Sequence, residues 1–421
     1  MELKINTYMQ LYSLIKHEYY PKLLQMAQNL TLSRIKKQGK IKIGIQTSFI
    51  NTWIGDELVR KFMDDSRFDI DVIIAWQRNT SRKKEFQLLE KHFYENNIPY
   101  LIADGNIHPS DYDILLFTSP YLSILDNFSE TDLTLDTLIC YVPYGFYVAN
   151  IQNMQYNLFI HNICWKNYAL TKADAILASK YCDIGSKAIV YSGYPKMDIL
   201  LEKHEGKDCA WKIAGNKKNV KKIIYAPHHS INEIPWHSTF PANYRFMLDY
   251  ARRHAEMTSW VFKPHPLLRE SVVKNGIFAT REEYDKYCME WNNLPNGIFV
   301  EDDYLSWFAS SDCMIFDSLS FIVEYLYVNK PGLYLTRDKT SLNEFGEILI
   351  DAYYQVRGDD LEGIVYFLEK QLECDDKYNL RKQIFGQVLD YYNINGMSAT
   401  DYIYNNICQS IWENVINNGS A

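Results

Sequence analysis

The sequence predicts an α/β protein built from two Rossmann-like domains. At 421 residues the chain is too long for one ordinary hydrophobic core, and it fits two domains of about 200 residues each. Hydrophobic residues make up 47% of it and charged residues 23%, which is typical of a globular protein. Short β-branched runs alternate with helical patterns on both sides of a polar, lysine-rich stretch, and this alternation is typical of parallel sheets.

Composition argues against several classes of function. The formal net charge of −8 disfavours a nucleic-acid partner, because phosphate backbones are bound chiefly through basic surface. The eight cysteines form no CxxC pair, which disfavours structural zinc and a disulfide framework. No cofactor is predicted. The first residues lack the features of a signal peptide, and no apolar run approaches the roughly 20 residues of a membrane span. A cytoplasmic protein is the expectation.

Residues 1–40 are expected to form an N-terminal amphipathic helix. Apolar residues recur at helical spacing between residues 6 and 37, and the segment ends in the basic sequence Arg34-Ile35-Lys36-Lys37. Pro21 is expected to kink or divide the helix, because proline lacks the amide hydrogen that a helix interior needs. Two roles stay open: the helix packs against the body of the protein, or it lies on the anionic inner surface of a membrane as a peripheral contact.

The first Rossmann-like domain is predicted at 41–200, where short apolar runs read as buried parallel strands. The predicted strands lie at 41–45, 70–75, 98–102, 113–117, 138–142, 175–178 and 188–191, with helices near 54–65 and 81–96. Gly44 in the first strand is not part of a GxGxxG fingerprint, so the loop after this strand does not indicate a dinucleotide site.

The stretch 201–221 is the predicted linker, because it is polar and rich in lysine. The second Rossmann-like domain follows at 222–360 and is expected to bind a nucleotide. Its predicted strands lie at 222–226, 260–263, 298–300, 313–316 and 332–335. The last segment, 361–421, is expected to be helical, and a return of its end to the first domain stays open.

Three polar clusters follow apolar runs in the second domain. They are Tyr225-Ala226-Pro227-His228-His229-Ser230, Phe262-Lys263-Pro264-His265-Pro266 and Phe316-Asp317-Ser318-Leu319-Ser320. In open α/β sheets ligands bind outside the carboxyl ends of the strands, so the three clusters are expected to converge on one ligand. A lysine charge, histidine donors and serine hydroxyls near the start of a helix suit a nucleoside diphosphate.

Lys263 and His265 are the strongest candidates for this site. His265 lies between two prolines, which restrict the backbone on both sides and help to fix the direction of the imidazole. The alternative is a structural histidine in a rigid turn. Of His228 and His229, at most one is expected to face the ligand. No partner at a known metal-ligand spacing accompanies these histidines, so no metal is predicted.

The cluster at 317–320 has two interpretations. Asp317, Ser318 and Ser320 precede an apolar helix, so they either cap this helix or contact phosphate. Glu324 lies four residues beyond Ser320 on the same helix face, where its carboxylate is placed to hold the hydroxyls of a ribose.

The order of these motifs resembles the CDP-glycerol glycerophosphotransferase family, the teichoic-acid primases and polymerases of GT-B fold. The matching pieces are Gly193-Tyr194-Pro195-Lys196-Met197-Asp198, Tyr225-Ala226-Pro227, Lys263-Pro264-His265-Pro266, Asp302-Asp303-Tyr304-Leu305 and the run 310–320. The resemblance implies a GT-B fold, in which two Rossmann-like domains face each other across a cleft, with the donor on the second domain and the acceptor on the first. It also implies that His265 contacts the donor diphosphate, that the turn from Asp317 to Ser320 binds phosphate, that Glu324 lies near the nucleotide, and that Tyr194 and Pro195 belong to the substrate site.

One position departs from the family pattern. The family carries a histidine in a WHGT-like motif and uses it as the base, whereas the counterpart here is Val142-Pro143-Tyr144-Gly145-Phe146. Tyr144 takes the place of the histidine and is a catalytic candidate beside Lys263 and His265. A tyrosine with the usual pKa of about 10 is a poor base at neutral pH. The other candidates for the base are His161, Asp56 and Glu57.

The expected activity is transfer of a polyol phosphate, either glycerol or ribitol phosphate, from a CDP-linked donor. The expected acceptor is a growing cell-surface polysaccharide, a teichoic-acid-like chain or a lipid-linked glycan. One alternative is a GT-B glycosyltransferase that uses a nucleotide sugar to build a capsule or another surface glycan. The more distant alternative is a protein that binds nucleotide or sugar without catalysis.

Overall fold

The structure, a computed structural model, describes residues 5–76, 83–201, 209–216, 219–234, 236–301, 304–338 and 341–412. Part of the predicted linker and the motif residues Asp302 and Asp303 lie outside these residues. The chain divides into two compact units. The first is Met1–Gly145, Gln152–Asp198 and Asp390–Ala421, and the second is Phe146–Ile151 and Ile199–Leu389.

The first unit is built on a parallel sheet, whose seven described strands lie in the order β3-β2-β1-β4-β5-β6-β7. The strands are β1 Ile41–Thr47, β2 Phe68–Ile74, β3 Tyr100–Ile102, β4 Ile114–Phe117, β5 Leu138–Tyr141, β6 Lys166–Ala169 and β7 Ile189–Tyr191. Apolar side chains of β2, β4 and β5 are buried in two clusters, as expected for strands covered on both faces.

Helices flank this sheet. They are α1 Tyr8–Tyr12, α2 Tyr20–Ile35, α3 Asp56–Met63, α4 Lys83–Glu95, α5 Gln152–Tyr156, α6 Lys172–Tyr181, α16 Tyr391–Asn395 and α17 Ala399–Trp412, while α7 Asp198–Leu201 lies at the boundary of the two units. The strand predicted at 175–178 is wrong, because these residues lie within α6. Thr171 caps this helix by accepting a hydrogen bond from the amide of Asp174 at 2.9 Å.

The N-terminal helices pack against the first unit. Pro21 lies in the first turn of α2, where its missing amide hydrogen costs nothing, and the chain bends between α1 and α2. Tyr8 and Tyr20 are fully buried. Their hydroxyls donate to the carbonyls of Thr137 at 2.9 Å and of Asn162 at 2.7 Å. The inner face of α2 therefore packs against the body of the protein, which is one of the two roles left open by the sequence.

The C-terminal helices α16 and α17 belong to the first unit. The buried carboxylate of Asp198 accepts hydrogen bonds from the amides of Ala399 and Thr400, each at 3.0 Å, at the start of α17. It also accepts one from the Tyr391 hydroxyl at 2.6 Å. An apolar stripe of α17 is buried in the core of the first sheet, so the last helix is held at both its start and its side.

The second unit contains another parallel sheet, whose six described strands lie in the order β10-β9-β8-β11-β12-β13. They are β8 Lys221–Ala226, β9 Thr258–Phe262, β10 Gly297–Phe299, β11 Cys313–Phe316, β12 Gly332–Thr336 and β13 Tyr354–Arg357. In the register of the sheet Tyr225 lies beside Phe262, and Ala226 beside Phe316. The carboxyl ends of three neighbouring strands therefore lie level with one another.

The helices of the second unit are α8 Phe240–Arg253, α9 Leu268–Lys274, α10 Arg281–Asn293, α11 Leu305–Ser310, α12 Phe321–Glu324, α13 Glu344–Ile350, α14 Leu361–Glu369 and α15 Tyr378–Val388. The predicted class, two α/β domains with parallel sheets, is confirmed. Across the described part of the chain, no helix combines the length and the apolar character that a membrane span requires.

Candidate functional site

The candidate site lies at the carboxyl edge of the second sheet, where three predicted clusters meet. The residues that follow the strands are His228 and His229 after β8, Lys263 and His265 after β9, and Asp317 and Ser318 after β11. The amide of His265 donates to the carbonyl of Pro227 at 2.9 Å. The Ser318 hydroxyl donates to the carbonyl of Ala226 at 3.0 Å. The sheet and these hydrogen bonds bring the clusters together at one place.

His228, His229 and His265 form what we call the histidine cluster. The ring centres are 4.3 Å apart for His228 and His229, 5.1 Å for His228 and His265, and 4.2 Å for His229 and His265. One ring nitrogen of each histidine lies within 4.8 Å of the others. The sequence predicts that at most one of His228 and His229 faces the ligand, whereas the structure places both rings against His265.

Backbone hydrogen bonds indicate which nitrogen of two of these rings carries the proton. The amide of Ser230 donates to Nδ1 of His228 at 3.2 Å, and the amide of Leu267 donates to Nδ1 of His265 at 3.1 Å. A backbone N–H can only donate, so both Nδ1 atoms must be unprotonated acceptors. Each neutral ring therefore carries its proton on Nε2. His228 and His265 can thus act toward a ligand as Nε2–H donors.

Burial keeps His228 and His229 neutral. It lowers the pKa of His228 well below the ordinary value, and the neighbouring His265, His229 and His237 lower it further because like charges repel. Burial also lowers the pKa of His229 to about 4, against a small opposing effect of Glu233. At neutral pH these two imidazoles can donate hydrogen bonds to an anion without bringing positive charges together.

Asp317 lies beneath the histidine cluster, where its carboxylate is hydrogen-bonded to backbone amides and to a hydroxyl of the protein. Its fully buried carboxylate accepts hydrogen bonds from the amides of His228 and Thr239, each at 2.5 Å, and from the Thr239 hydroxyl at 2.7 Å. Burial raises the pKa of Asp317 to about 6, and these hydrogen bonds limit the rise. The arrangement favours a role in holding the loop 227–239, which is neither of the two roles considered from the sequence.

Arg337 holds the same loop and was missed by the sequence analysis. It follows β12, and its Nη1 donates to the carbonyls of Ile231 at 2.6 Å and of Ser238 at 2.8 Å. Tyr334 on β12 contacts the loop as well, since its hydroxyl lies 2.9 Å from Nδ1 of His237. The sequence signal for Arg337 is its position, because it lies two residues after the strand predicted at 332–335 and the other site residues also follow predicted strands.

Lys263, Tyr304 and Glu324 form a second group in the same unit. Lys263 and Glu324 are both buried, at 4% and 2% exposed, which is unusual for charged residues. The Tyr304 hydroxyl donates to Oε2 of Glu324 at 2.5 Å, and Nζ of Lys263 lies 5.7 Å from the centre of the Tyr304 ring. Ser320 occupies the N-cap position of α12, but its side chain makes no capping hydrogen bond. Tyr304 therefore orients the predicted Glu324, a contact that the sequence does not reveal.

Tyr144 lies in the first unit, in the loop that follows β5. Its carbonyl accepts a hydrogen bond from the hydroxyl of Tyr194, and its side chain is hydrogen-bonded to that of Tyr121. Tyr194 is fully buried, and Pro195 is buried in the short turn that follows. The Tyr194 hydroxyl therefore positions the loop that contains Tyr144. Tyr121 is 39% exposed at this edge of the sheet.

The other candidates for the base also lie in the first unit. His161 is buried, and burial lowers its pKa to about 4, which makes it a weak base. Asp56 Oδ1 accepts a hydrogen bond from the Trp53 indole at 2.7 Å and lies 2.8 Å from Nε2 of His92. Glu57 is an exposed residue paired with Arg60 at 3.3 Å. None of these three residues has the surroundings of a general base that is placed to accept the proton of an acceptor hydroxyl.

Solved structures share this fold. A putative UDP-N-acetylglucosamine 2-epimerase from Listeria monocytogenes matches with a TM-score of 0.58 and 14% identity, over 90% of this chain and 98% of that one. The UDP-GlcNAc 2-epimerase from Neisseria meningitidis gives 0.55 and 14%, over 88% and 100%. A variant of the wall teichoic acid polymerase TagF gives 0.56 and 14%, over 91% and 92%. At such identities the likeness shows the fold alone, and it confirms the predicted GT-B class.

The sequence itself matches one family model. No match was found among curated protein sequences. The model that describes CDP-glycerol:poly(glycerophosphate) glycerophosphotransferases matches residues 167–409, a range that contains the histidine cluster, Lys263 and Glu324. Because this range is more than half of the chain, the predicted family is confirmed. The protein belongs to the CDP-glycerol:poly(glycerophosphate) glycerophosphotransferase family and is an enzyme of that class.

Proposed function

We propose that this enzyme binds the diphosphate of CDP-glycerol at the histidine cluster and transfers glycerol phosphate to a growing teichoic-acid-like polymer. The observation that carries the proposal is the pair of Nε2–H donors of His228 and His265. They lie at the carboxyl edge of a parallel sheet, where nucleotides bind in such folds. The buried Lys263 follows β9, as His265 does, and adds a positive charge to this edge.

The reaction moves charge onto phosphate oxygens. The acceptor hydroxyl oxygen forms a bond to the β-phosphorus, the bond from this phosphorus to the oxygen of CMP breaks, and CMP leaves with the electron pair. The proton of the acceptor hydroxyl passes to a base. Donors that are already in place stabilise the developing charge, because they need no reorganisation during the step. We assign this role to Lys263, His265 and His228, with Ser318 and Ser320 close to the phosphates.

The nucleoside is proposed to lie near Glu324. Its carboxylate is oriented by the Tyr304 hydroxyl, which donates to Oε2. A carboxylate accepts several hydrogen bonds at once, so Glu324 can accept from ribose hydroxyls while it keeps the bond from Tyr304. The acceptor is proposed to bind the first unit, where Tyr144 and Tyr121 orient its hydroxyl through their own hydroxyl groups. Tyr144 is then a substrate-positioning residue in this proposal.

Binding of the donor is the first test of this function. We expect calorimetric titration to show that CDP-glycerol binds more tightly than UDP or GDP, with CMP and CDP-ribitol as comparisons. We also expect CMP to be released when a poly(glycerol phosphate) acceptor is added. Preference for UDP or GDP, with release of a nucleoside diphosphate, would instead support the glycosyltransferase alternative. Absence of binding by every nucleotide would refute the donor site.

The outer face of α2 is proposed to lie on an anionic membrane surface. Met26 and Leu30 are 61% and 73% exposed there, although the opposite face of the helix is buried. Lys22, Lys36 and Lys37 are exposed on the same helix or at its end. Exposed apolar side chains flanked by lysines are typical of helices that bind the interface of negatively charged lipids. This role adds to the packing of the inner face and would bring the enzyme to a lipid-linked acceptor.

Vesicle binding tests the proposed surface. We expect the protein to sediment with vesicles that contain phosphatidylglycerol and not with vesicles of phosphatidylcholine alone. The double variant Met26→Glu, Leu30→Glu should lose this binding. Gln25→Glu, Asn29→Glu is the matched control, because it adds the same charge to exposed positions of α2 without removing apolar groups, and it should retain more binding. Equal sedimentation of wild type and the Met26, Leu30 variant would exclude this face.

A further inference from the structure

The side chain of Ser230 lies directly behind the histidine cluster. It is fully buried, and its Oγ lies 2.8 Å from Nδ1 of His228. The amide of His237 donates to the same Oγ at 2.9 Å. Because Oγ accepts this amide hydrogen, its own hydrogen is available for Nδ1 of His228, where the amide of Ser230 also donates at 3.2 Å. Two donors from one residue therefore converge on a single ring nitrogen.

We propose that Ser230 is a positioning residue that holds His228 in the Nε2–H tautomer, so that His228 and His265 present two fixed N–H donors to phosphate oxygens. The backbone amide of Leu267 performs the same task for His265. This inference rests on the proposed function, since it assigns the donor phosphates as the ligand of both rings. It adds a residue, Ser230, that would act on the ligand only through His228.

The same geometry distinguishes a phosphate site from a metal site. Three histidine nitrogens within 4.8 Å of one another form a set that a metal ion can use. A histidine that binds metal normally carries its proton on the other nitrogen and donates it to a carbonyl or carboxylate. At His228 and His265 the other nitrogen faces donors instead. Metal at Nε2 would have to displace the only proton of each ring, whereas phosphate oxygen accepts that proton in a hydrogen bond.

Nitrogen NMR measures the tautomer in the ligand-free protein. We expect long-range ¹⁵N–¹H spectra of protein with ¹⁵N-labelled histidine to show, for His228, an unprotonated Nδ1 and a protonated Nε2, with His228→Gln used to assign the signals. Ser230→Ala keeps the backbone amide that donates to Nδ1 at 3.2 Å and removes the closer hydroxyl at 2.8 Å. The His228 signals should therefore shift toward a mixture of tautomers, and the affinity for inorganic pyrophosphate should fall about tenfold, the size of one lost hydrogen bond. Ser230→Thr, which keeps the hydroxyl, should restore both readouts.

A second pair of variants keeps the test decisive if the added methyl of Ser230→Thr prevents folding. His228→Gln keeps an N–H close to the position of Nε2, whereas His228→Asn keeps only an acceptor for Ser230. We therefore expect the glutamine variant to bind pyrophosphate more tightly than the asparagine variant. The reverse order, a proton on Nδ1 of His228 in the wild type, or unchanged pyrophosphate binding in Ser230→Ala would overturn the proposal.

Two further outcomes separate this inference from the proposed function. Stoichiometric binding of Zn²⁺ or Mn²⁺, with shifts confined to the three histidines of the cluster, would overturn the assignment to phosphate. A protein that binds pyrophosphate through the Nε2–H tautomers but neither binds nor turns over CDP-glycerol would support the positioning role of Ser230 and refute only the choice of donor. The NMR and pyrophosphate measurements need no donor or acceptor, so they remain informative in either case.

Discussion

His265→Asn is expected to lower kcat/KM for glycerol phosphate transfer by about 10³-fold while the fold is retained. The substitution removes the Nε2–H group, which donates a hydrogen bond to the charge that develops in the transition state. The asparagine Oδ1 lies near the place of Nδ1, so it can still accept the Leu267 amide hydrogen bond that the imidazole accepts at 3.1 Å. The backbone bond from residue 265 to Pro227 is unaffected. The Nε2–H donor, however, has no replacement in asparagine.

His265→Gln is the informative partner of this variant. Glutamine places an amide N–H near the position of Nε2 and loses the acceptor for Leu267, so we expect it to retain more activity than asparagine. His254→Asn serves as the control, because this histidine at the end of α8 stacks on Tyr250, with ring centres 3.9 Å apart, outside the histidine cluster. Steady-state assays of CMP release would measure all three. Wild-type activity in His265→Asn would favour the structural alternative, a histidine that only rigidifies its turn.

Gly193→Ala is expected to destabilise the first unit by about 2–5 kcal/mol, the sum of a left-handed backbone penalty and overpacking. Gly193 has φ +86°, which residues with a side chain rarely adopt, and an added Cβ would lie 2.2 Å from Cγ of Tyr391. The Tyr391 ring cannot move away easily, since it is fully buried. Its hydroxyl donates to Asp198 at 2.6 Å and lies 3.1 Å from the carbonyl of Tyr194.

Urea denaturation followed by circular dichroism would measure this effect. Gly39→Ala is the matched control, because Gly39 has no atom within 4 Å of the added Cβ and no positive φ, and we expect a change below about 0.5 kcal/mol there. A Gly193→Ala protein that unfolds within 1 kcal/mol of wild type would show that the turn can shift away from Tyr391. We also expect the variant to expose the C-terminal helix to proteolysis, because Asp198 and Tyr391 join this helix to the turn.

Local sequence patterns predicted most of the strands and the location of the candidate site. The β-branched runs predicted most strands of both sheets, because a buried parallel strand must be apolar on both faces. The site at the end of β8, β9 and β11 followed from the same pattern, since parallel strands end at one edge. The pattern failed at 175–178, where four apolar residues are equally compatible with a helix and the Thr171 cap decided the outcome. It also missed β6, whose first residues, Lys166 and Asn167, are polar.

Local patterns in the sequence were sufficient to predict the two α/β domains, the family and the set of polar residues at the strand ends. What each of these residues contacts depends on the folded structure. Asp317 accepts the amides of His228 and Thr239 instead of facing outward, and Arg337 secures a loop about 100 residues earlier in the chain. The proton positions of His228 and His265 follow from amides that only the folded turns direct at Nδ1. Periodicity is a property of neighbouring residues, whereas hydrogen-bond partners and protonation depend on groups that only folding brings within 3 Å or so of one another.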